Sequence, residues 1–197
     1  MKIQPRQIIL LASLAGLLIV LMVLFFQAGK ERAAVPDVSS PASEPGEESA
    51  EETVTRKIDL YFLSEDDPLL HPEEREIPVE EAPIEEARLV LEELLRGSRF
   101  DGISAIPPET RLRELFITEQ GIAMVDFSRE FQDNHPSGAA AEMATVFAVV
   151  NTLVRNVEAV KRVVILVDGV EKETLKGHVG LRKALLPRFD LAAGGGR

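Results

Sequence analysis

Apolar residues in this chain form one long unbroken run and then several short periodic groups. The run is Ile8 to Phe26, nineteen residues without a charge and with Ser13 as the sole polar side chain. As a helix it would cover about 28 Å at ~1.5 Å per residue, close to the ~30 Å hydrocarbon thickness of a bilayer. Residues 1–28 are therefore expected to form an N-terminal transmembrane helix that holds the chain at a membrane. Lys2 and Arg6 precede the run, while Lys30 and Arg32 follow it with Glu31 between them. That slight bias keeps the N-terminus inside and the bulk of the chain outside the cytoplasm. The run exceeds the about 7 to 15 apolar residues of a secretory signal. Phe26 is also too large for a small-x-small cleavage site ending at Ala28, so a retained anchor is expected.

From residue 56 onward the pattern is periodic. Arg56 to Leu63 alternates as a strand, with Ile58, Leu60 and Phe62 on one face. Residues 64–76 read as an acidic, proline-punctuated loop. Ile77 to Val79 reads as a short strand that Pro78 confines to an edge. Pro83 opens a helix, where its missing N–H costs nothing, and Ile84, Ala87, Val90, Leu91, Leu94 and Leu95 form its apolar stripe. Glu85 and Glu86 suit its N-terminal end, and Arg96-Gly97 marks its stop. Leu112 to Ile117 and Ile122 to Phe127 are two strands joined through Glu119-Gln120-Gly121. A second helix is expected from near Ser137 to Asn156, with Met143, Val146, Phe147, Val150, Leu153 and Val154 facing inward. Val163 to Val167 is an unbroken apolar run, expected as a central strand covered on both faces. Asp168-Gly169 is a two-residue hairpin turn leading to a more polar strand, Val170 to Leu175. The fold expected is an α/β (α+β) domain over residues 56–186. It consists of one small mixed β-sheet packed with two main helices, with a flexible tail at 187–197.

Composition separates this domain from the membrane segment. Residues 29–55 mix proline and serine with seven acids and lack aromatic residues, so they are expected to be a disordered tether. As a flexible coil those 27 residues would span roughly 30 Å. The chain carries a net charge of −11. Residues 1–28 contribute +2 and the tether −5, which leaves −8 on residues 56–197. A nucleic-acid partner needs a basic face, and this balance argues against one. The sequence has no cysteine, which removes disulfides, thiol nucleophiles and Cys-ligated zinc together.

Several short motifs recur in a telling order. They are Ala105-Ile106-Pro107 before the hairpin, Val125-Asp126-Phe127-Ser128 closing it, Asn151-Thr152-Leu153 in the second helix, Val167-Asp168-Gly169, and Gly177-His178. Together, over about Arg56 to Leu186, they resemble the GerMN domain of GerM-type sporulation and spore-germination proteins. The resemblance implies a small α/β module, similar to ring-building motifs of envelope machines, that is bacterial, extracytoplasmic and not known as catalytic. One such domain rather than a tandem pair is expected here, with a helix anchor where a lipidated cysteine might stand.

Candidate chemistry is weak everywhere. His71, His135 and His178 lie in expected loops, none at the i, i+4 helical spacing of a zinc site, and His178 is expected to orient a turn. Glu65-Asp66-Asp67 lacks the central glycine and distant glutamate of a calcium loop. Asp126, Ser128, Glu130 and Asp133 cluster where a strand end needs turn-capping groups. There is no nucleophile elbow, phosphate loop or dinucleotide fingerprint. No catalytic, cofactor-binding or metal residue is expected, no cofactor, and no enzymatic activity. The expected role is a membrane-anchored scaffold or interaction module of the bacterial envelope. Its partners would be the membrane through the N-terminal helix, other envelope proteins, and further copies of itself. A module that binds a small ligand or cell-wall glycan is the alternative. The contact surfaces expected are the Pro78 strand and the Val170 to Leu175 strand.

Overall fold

The computed structural model describes residues 54–194. The expected transmembrane helix and all but the last two residues of the expected tether lie outside the described residues. Among the described residues, no helix is long and apolar enough to cross a membrane.

The elements run β1 (Thr55–Leu63), β2 (Leu70–Pro78), α1 (Pro83–Leu95), β3 (Leu112–Ile117), β4 (Ile122–Phe127), α2 (Glu130–Asp133), α3 (Ala139–Asn156), β5 (Arg162–Val167) and β6 (Val170–Glu171), then a 3-10 turn at Phe189–Leu191. The class is α+β, as expected, but the strands form two sheets rather than one. One is the antiparallel pair β1–β2, and the other has the order β3-β4-β5-β6. The mixed character belongs to the larger sheet, where β4 and β5 run parallel and the outer pairs antiparallel.

The split has a physical cause at the edge of β1. Asn156 accepts the Asp59 N–H at 2.9 Å and donates to the Asp59 carbonyl at 2.7 Å. Thr152 accepts the Tyr61 N–H at 3.3 Å, and Leu63 exchanges two backbone bonds with Ile103. Side chains of α3 thus satisfy the groups that a neighbouring strand would otherwise take. Helix α3 packs on β1, α1 and β5, while α1 packs on α3, β1 and β3, so the two helices link the two sheets. One contiguous core results, containing Leu60 and Phe62, Leu91 and Leu94, Val125 and Phe127, Val149 and Leu153, and Ile165.

Four other expectations need correction. Strand β2 spans nine residues and pairs with β1 along its full length, although most of it reads as loop. Its core-facing positions carry His71, Glu73 and Arg75 ahead of Ile77, so hydrophobic alternation never announces it. Strand β5 is buried at Val163, Ile165 and Val167 but only half-buried at Val164 and Leu166, so one of its faces is partly open. Strand β6 stops at Glu171 because the chain then turns inward to bury Leu175. Residues 187–194, expected to be loose, are packed. Asn151 clasps the Arg188 backbone with bonds of 3.0 and 2.8 Å, Phe189 lies 6.3 Å from Tyr61, and the Ala193 N–H bonds the Leu70 carbonyl at 2.8 Å.

Candidate functional site

The three histidines serve three different purposes. His71 bonds Asp67 at 2.9 Å, His135 is buried against Thr145 at 2.9 Å, and His178 meets Glu142 at 3.1 Å. Among the described residues no group of three or more potential ligands could hold a metal ion. In the Glu65-Asp66-Asp67 segment, Asp67 accepts the Leu69 N–H at 2.8 Å, and the Ser64 hydroxyl accepts the Asp66 N–H at 3.1 Å. That is turn capping. The Leu69 N–H and His71 hold the Asp67 carboxyl below its ordinary value, His71 contributing most.

The Asp126 cluster also builds a turn. Asp168 and Gly169 have φ of +56° and +75°, the paired left-handed conformation of a tight hairpin turn. Asp126 accepts the Gly169 N–H at 2.8 Å. A one-residue bulge at Arg113 in β3 aims its guanidinium at both Asp126, 3.4 Å away, and Asp168. Ser128 and Arg111 exchange two bonds, and Ser128 holds the Glu130 carboxyl below its ordinary value. Asp133 is exposed and stands apart.

Sequence reasoning missed Glu142. This residue is fully buried on α3, and its carboxylate accepts the N–H groups of Leu175, His178 and Val179 at 2.8 to 3.1 Å. Burial pushes the carboxyl up, but the N–H groups of Lys176, Val179, His178 and Leu175 outweigh it and hold the group below its ordinary value. Gly177-His178 is therefore one arm of a clasp on Glu142, not an isolated turn. Thr145 likewise donates to the Ala105 carbonyl at 2.5 Å, which ties the Ala105-Ile106-Pro107 motif to α3. A signal was present: 142, 145, 149, 152 and 156 recur at helical spacing, and all but one of those residues are polar.

What the fold leaves open is the outer edge of β2. Asp59, Tyr61 and Leu63 point their backbone groups away from β2, so their partners Glu74, Pro72 and Leu70 point theirs away from β1. The Leu70 carbonyl is taken by Ala193. Beyond it, Pro72 and Pro78 have no N–H. The N–H groups of Glu74 and Glu76, and the carbonyls from Pro72 onward, face out with no partner among the described residues.

Beside this edge lies a groove of ≈ 490 Å³ lined by Phe62, His71, Pro72, Glu74, Phe100 and Gly102. Phe100 is 76% exposed on its wall, yet the loop that carries it is tightly held. Ser98 accepts the Phe100 and Gly102 N–H groups and donates to Glu73, and the Arg99 N–H also bonds Glu73. Behind them Arg75, 4% exposed, bonds Glu73, Glu93 and the Gly97 carbonyl and lies 5.6 Å from the centre of the Phe62 ring. Burial pushes the Glu73 carboxyl up, but Ser98, Arg75 and the Arg99 N–H hold it below its ordinary value. At Gly102 an added Cβ would sit 2.9 Å from Phe62, so the loop can close down only on glycine.

The Germane family, described as sporulation and spore germination, matches residues 59–173. The chain belongs to the Germane family. The match runs from within β1 to just beyond β6, and so includes the open edge and the groove, but of the clasp only Glu142 itself. No curated protein matches the chain. Among solved structures, the first GerMN domain of the sporulation protein GerM from Bacillus subtilis is similar, with 20% identity and a TM-score of 0.52. That likeness covers 68% of this chain and 98% of the domain. The tandem GerMN domains of the same protein match with 20% identity and a TM-score of 0.53, over 70% of this chain and 48% of theirs. This Germane chain thus spans about half the length of the tandem. At that identity the likeness establishes the fold it shares with them.

Proposed function

We propose that this Germane protein is a membrane-anchored, extracytoplasmic scaffold of the bacterial cell envelope that works by protein–protein contact and carries out no catalysis. The observation that carries the reading is the outer edge of β2. It is a strand edge of a well-packed domain with two unpaired N–H groups, bracketed by prolines, next to a groove whose exposed Phe100 sits on a hydrogen-bonded loop. Such an edge accepts an added strand from a partner. Family membership supports the envelope setting, and the apolar run from Ile8 to Phe26 supports the anchor. Self-association through two β2 edges is disfavoured, because Glu74 and Glu76 of the copies would face one another, and another surface suits further copies better. A second reading, a cell-wall glycan bound at the groove, draws on exposed Phe100 as a stacking face.

The test is site-specific photocrosslinking in native membranes. A crosslinker at Glu76 is expected to capture a defined envelope protein, whereas one at exposed Arg182 is not. Equal yields at the two sites, or none at Glu76, would sink the reading.

A further inference from the structure

We propose that the partner element is an extended segment in which basic and apolar residues alternate, added as a third strand to the β1–β2 sheet along Pro72 to Pro78. This inference rests on the reading of β2 as the contact edge and adds what must lie against it.

Register dictates the alternation. A strand that pairs with the outward groups of Glu74 and Glu76 places two of its residues, i and i+2, directly opposite those glutamates. Directly opposite residues share a face, so the side chains at i and i+2 lie beside the carboxylates of Glu74 and Glu76. Residue i+1 turns to the other face. That face of β2 carries His71 and Glu73, the side on which Phe62 and Phe100 line the groove. An apolar residue at i+1 or i−1 would fill the groove and cover Phe100.

Charge selects the sign. Residues 64–81 hold eight carboxylates against one arginine, a net −7, which is nearly all of the −8 carried by residues 56–197. The single arginine, Arg75, is buried and committed to Glu73 and Glu93. Lys57 engages Glu74 at 2.7 Å and stands directly opposite Glu76 in the strand register, so one lysine serves both glutamates, and Glu80 and Glu81 have no ion pair among the described residues. The edge therefore repels an acidic strand and attracts a basic one. Pro72, Pro78 and Ala193 limit the addition to about seven residues, roughly 23 Å of strand.

The experiment uses the whole 197-residue chain in phosphatidylcholine nanodiscs, with empty nanodiscs as the baseline. The probes are three labelled seven-residue peptides: the alternating Lys-Val-Lys-Phe-Lys-Val-Lys, its block isomer Lys-Lys-Lys-Lys-Val-Phe-Val, and the acidic counterpart Glu-Val-Glu-Phe-Glu-Val-Glu. The alternating basic peptide is expected to bind at least tenfold more tightly than the block isomer and to weaken as salt rises. It should also slow hydrogen exchange at the Glu74 and Glu76 amides. Glu76→Pro, which removes one outward donor and no bond to β1, should weaken binding roughly threefold to tenfold. Glu74→Lys with Glu76→Lys should switch preference to the acidic peptide. Equal binding of the two basic isomers would show a mere charge effect and overturn the proposal, as would unchanged exchange at both amides. So would a soluble peptidoglycan fragment that protects the Phe100 loop when no peptide binds. If Glu76 crosslinks to an envelope protein in membranes but the alternating peptide does not bind, this inference fails alone. Loss of the crosslink takes the contact reading with it.

Discussion

The two edges of the β1–β2 pair are opposite solutions to the same problem. Both are rows of backbone N–H and C=O groups that the pair itself cannot satisfy. On β1, helix α3 supplies Asn156 and Thr152 and Ile103 pairs with Leu63, so the stretch from Asp59 to Leu63 is closed from within the domain. On β2, Pro72 and Pro78 thin the donors and Glu74 and Glu76 discourage casual pairing, but the row stays unpaired. The comparison teaches that an unpaired edge here is a local property, since the same fold closes an equivalent edge a strand's width away. The closed edge binds the core together, and the open one is available to a partner.

Breaking the closed edge should cost the most. Asn156→Leu keeps the apolar contacts but strands the Asp59 N–H and carbonyl, and is expected to lower stability by about 3 kcal/mol in urea denaturation. A loss below about 1 kcal/mol would mean that water replaces Asn156 there. Next comes the Glu142 clasp. Glu142→Gln keeps the shape and loses the charge-assisted bonds, for an expected loss of about 2 kcal/mol at neutral pH. The sign with pH follows from the depressed carboxyls of Glu142 and Glu73. Their contribution is complete above the ordinary glutamate value of 4.5 and is lost as pH falls through their lower folded values. Wild type should therefore lose stability progressively below about pH 4.5, and Glu142→Gln should flatten that slope. An unchanged slope would mean that the clasp is not ionised.

Two smaller effects sharpen the contrast. Thr152→Val removes one acceptor from the closed edge, that for the Tyr61 N–H, and should cost about 1 kcal/mol. Glu76→Pro on the open edge removes a donor that nothing in the domain uses, and in urea denaturation its stability should change by no more than about 0.5 kcal/mol. If Glu76→Pro proved as damaging as Asn156→Leu, the β2 edge would be closed after all.

Legibility in the sequence followed hydrophobicity. Helix α1, the β3–β4 hairpin and β5 stand nearly where their apolar spacing predicts, because each buries an apolar face. Strand β2 escaped because a guanidinium, a carboxylate and an imidazole occupy its inward positions, and the polar network around Arg75 takes the place of an apolar layer. On α3 the apolar spacing lies slightly out of phase with the buried face. Met143 is partly exposed and Val154 half-buried, while Glu142, Thr145, Thr152 and Asn156 face inward. Polar residues there are indistinguishable from solvent-facing ones until their backbone partners are known. The family motifs marked several of these places before their physical reasons were visible, as with Asn151-Thr152-Leu153, whose first two residues clasp Arg188 and Tyr61.

Composition and periodicity alone determined the apolar N-terminal run, the absence of thiol chemistry, the two long helices and an α+β domain. Those depend on which residues are adjacent along the chain, and a helix or strand period is a local property. Only the tertiary structure decided that the strands divide into two sheets, that Glu142 is a buried carboxylate, and that β2 keeps an unpaired edge beside Phe100. Each of these depends on contacts between residues dozens of positions apart. A backbone group or a carboxylate is satisfied or left open by whatever folding brings beside it, and no local pattern records that.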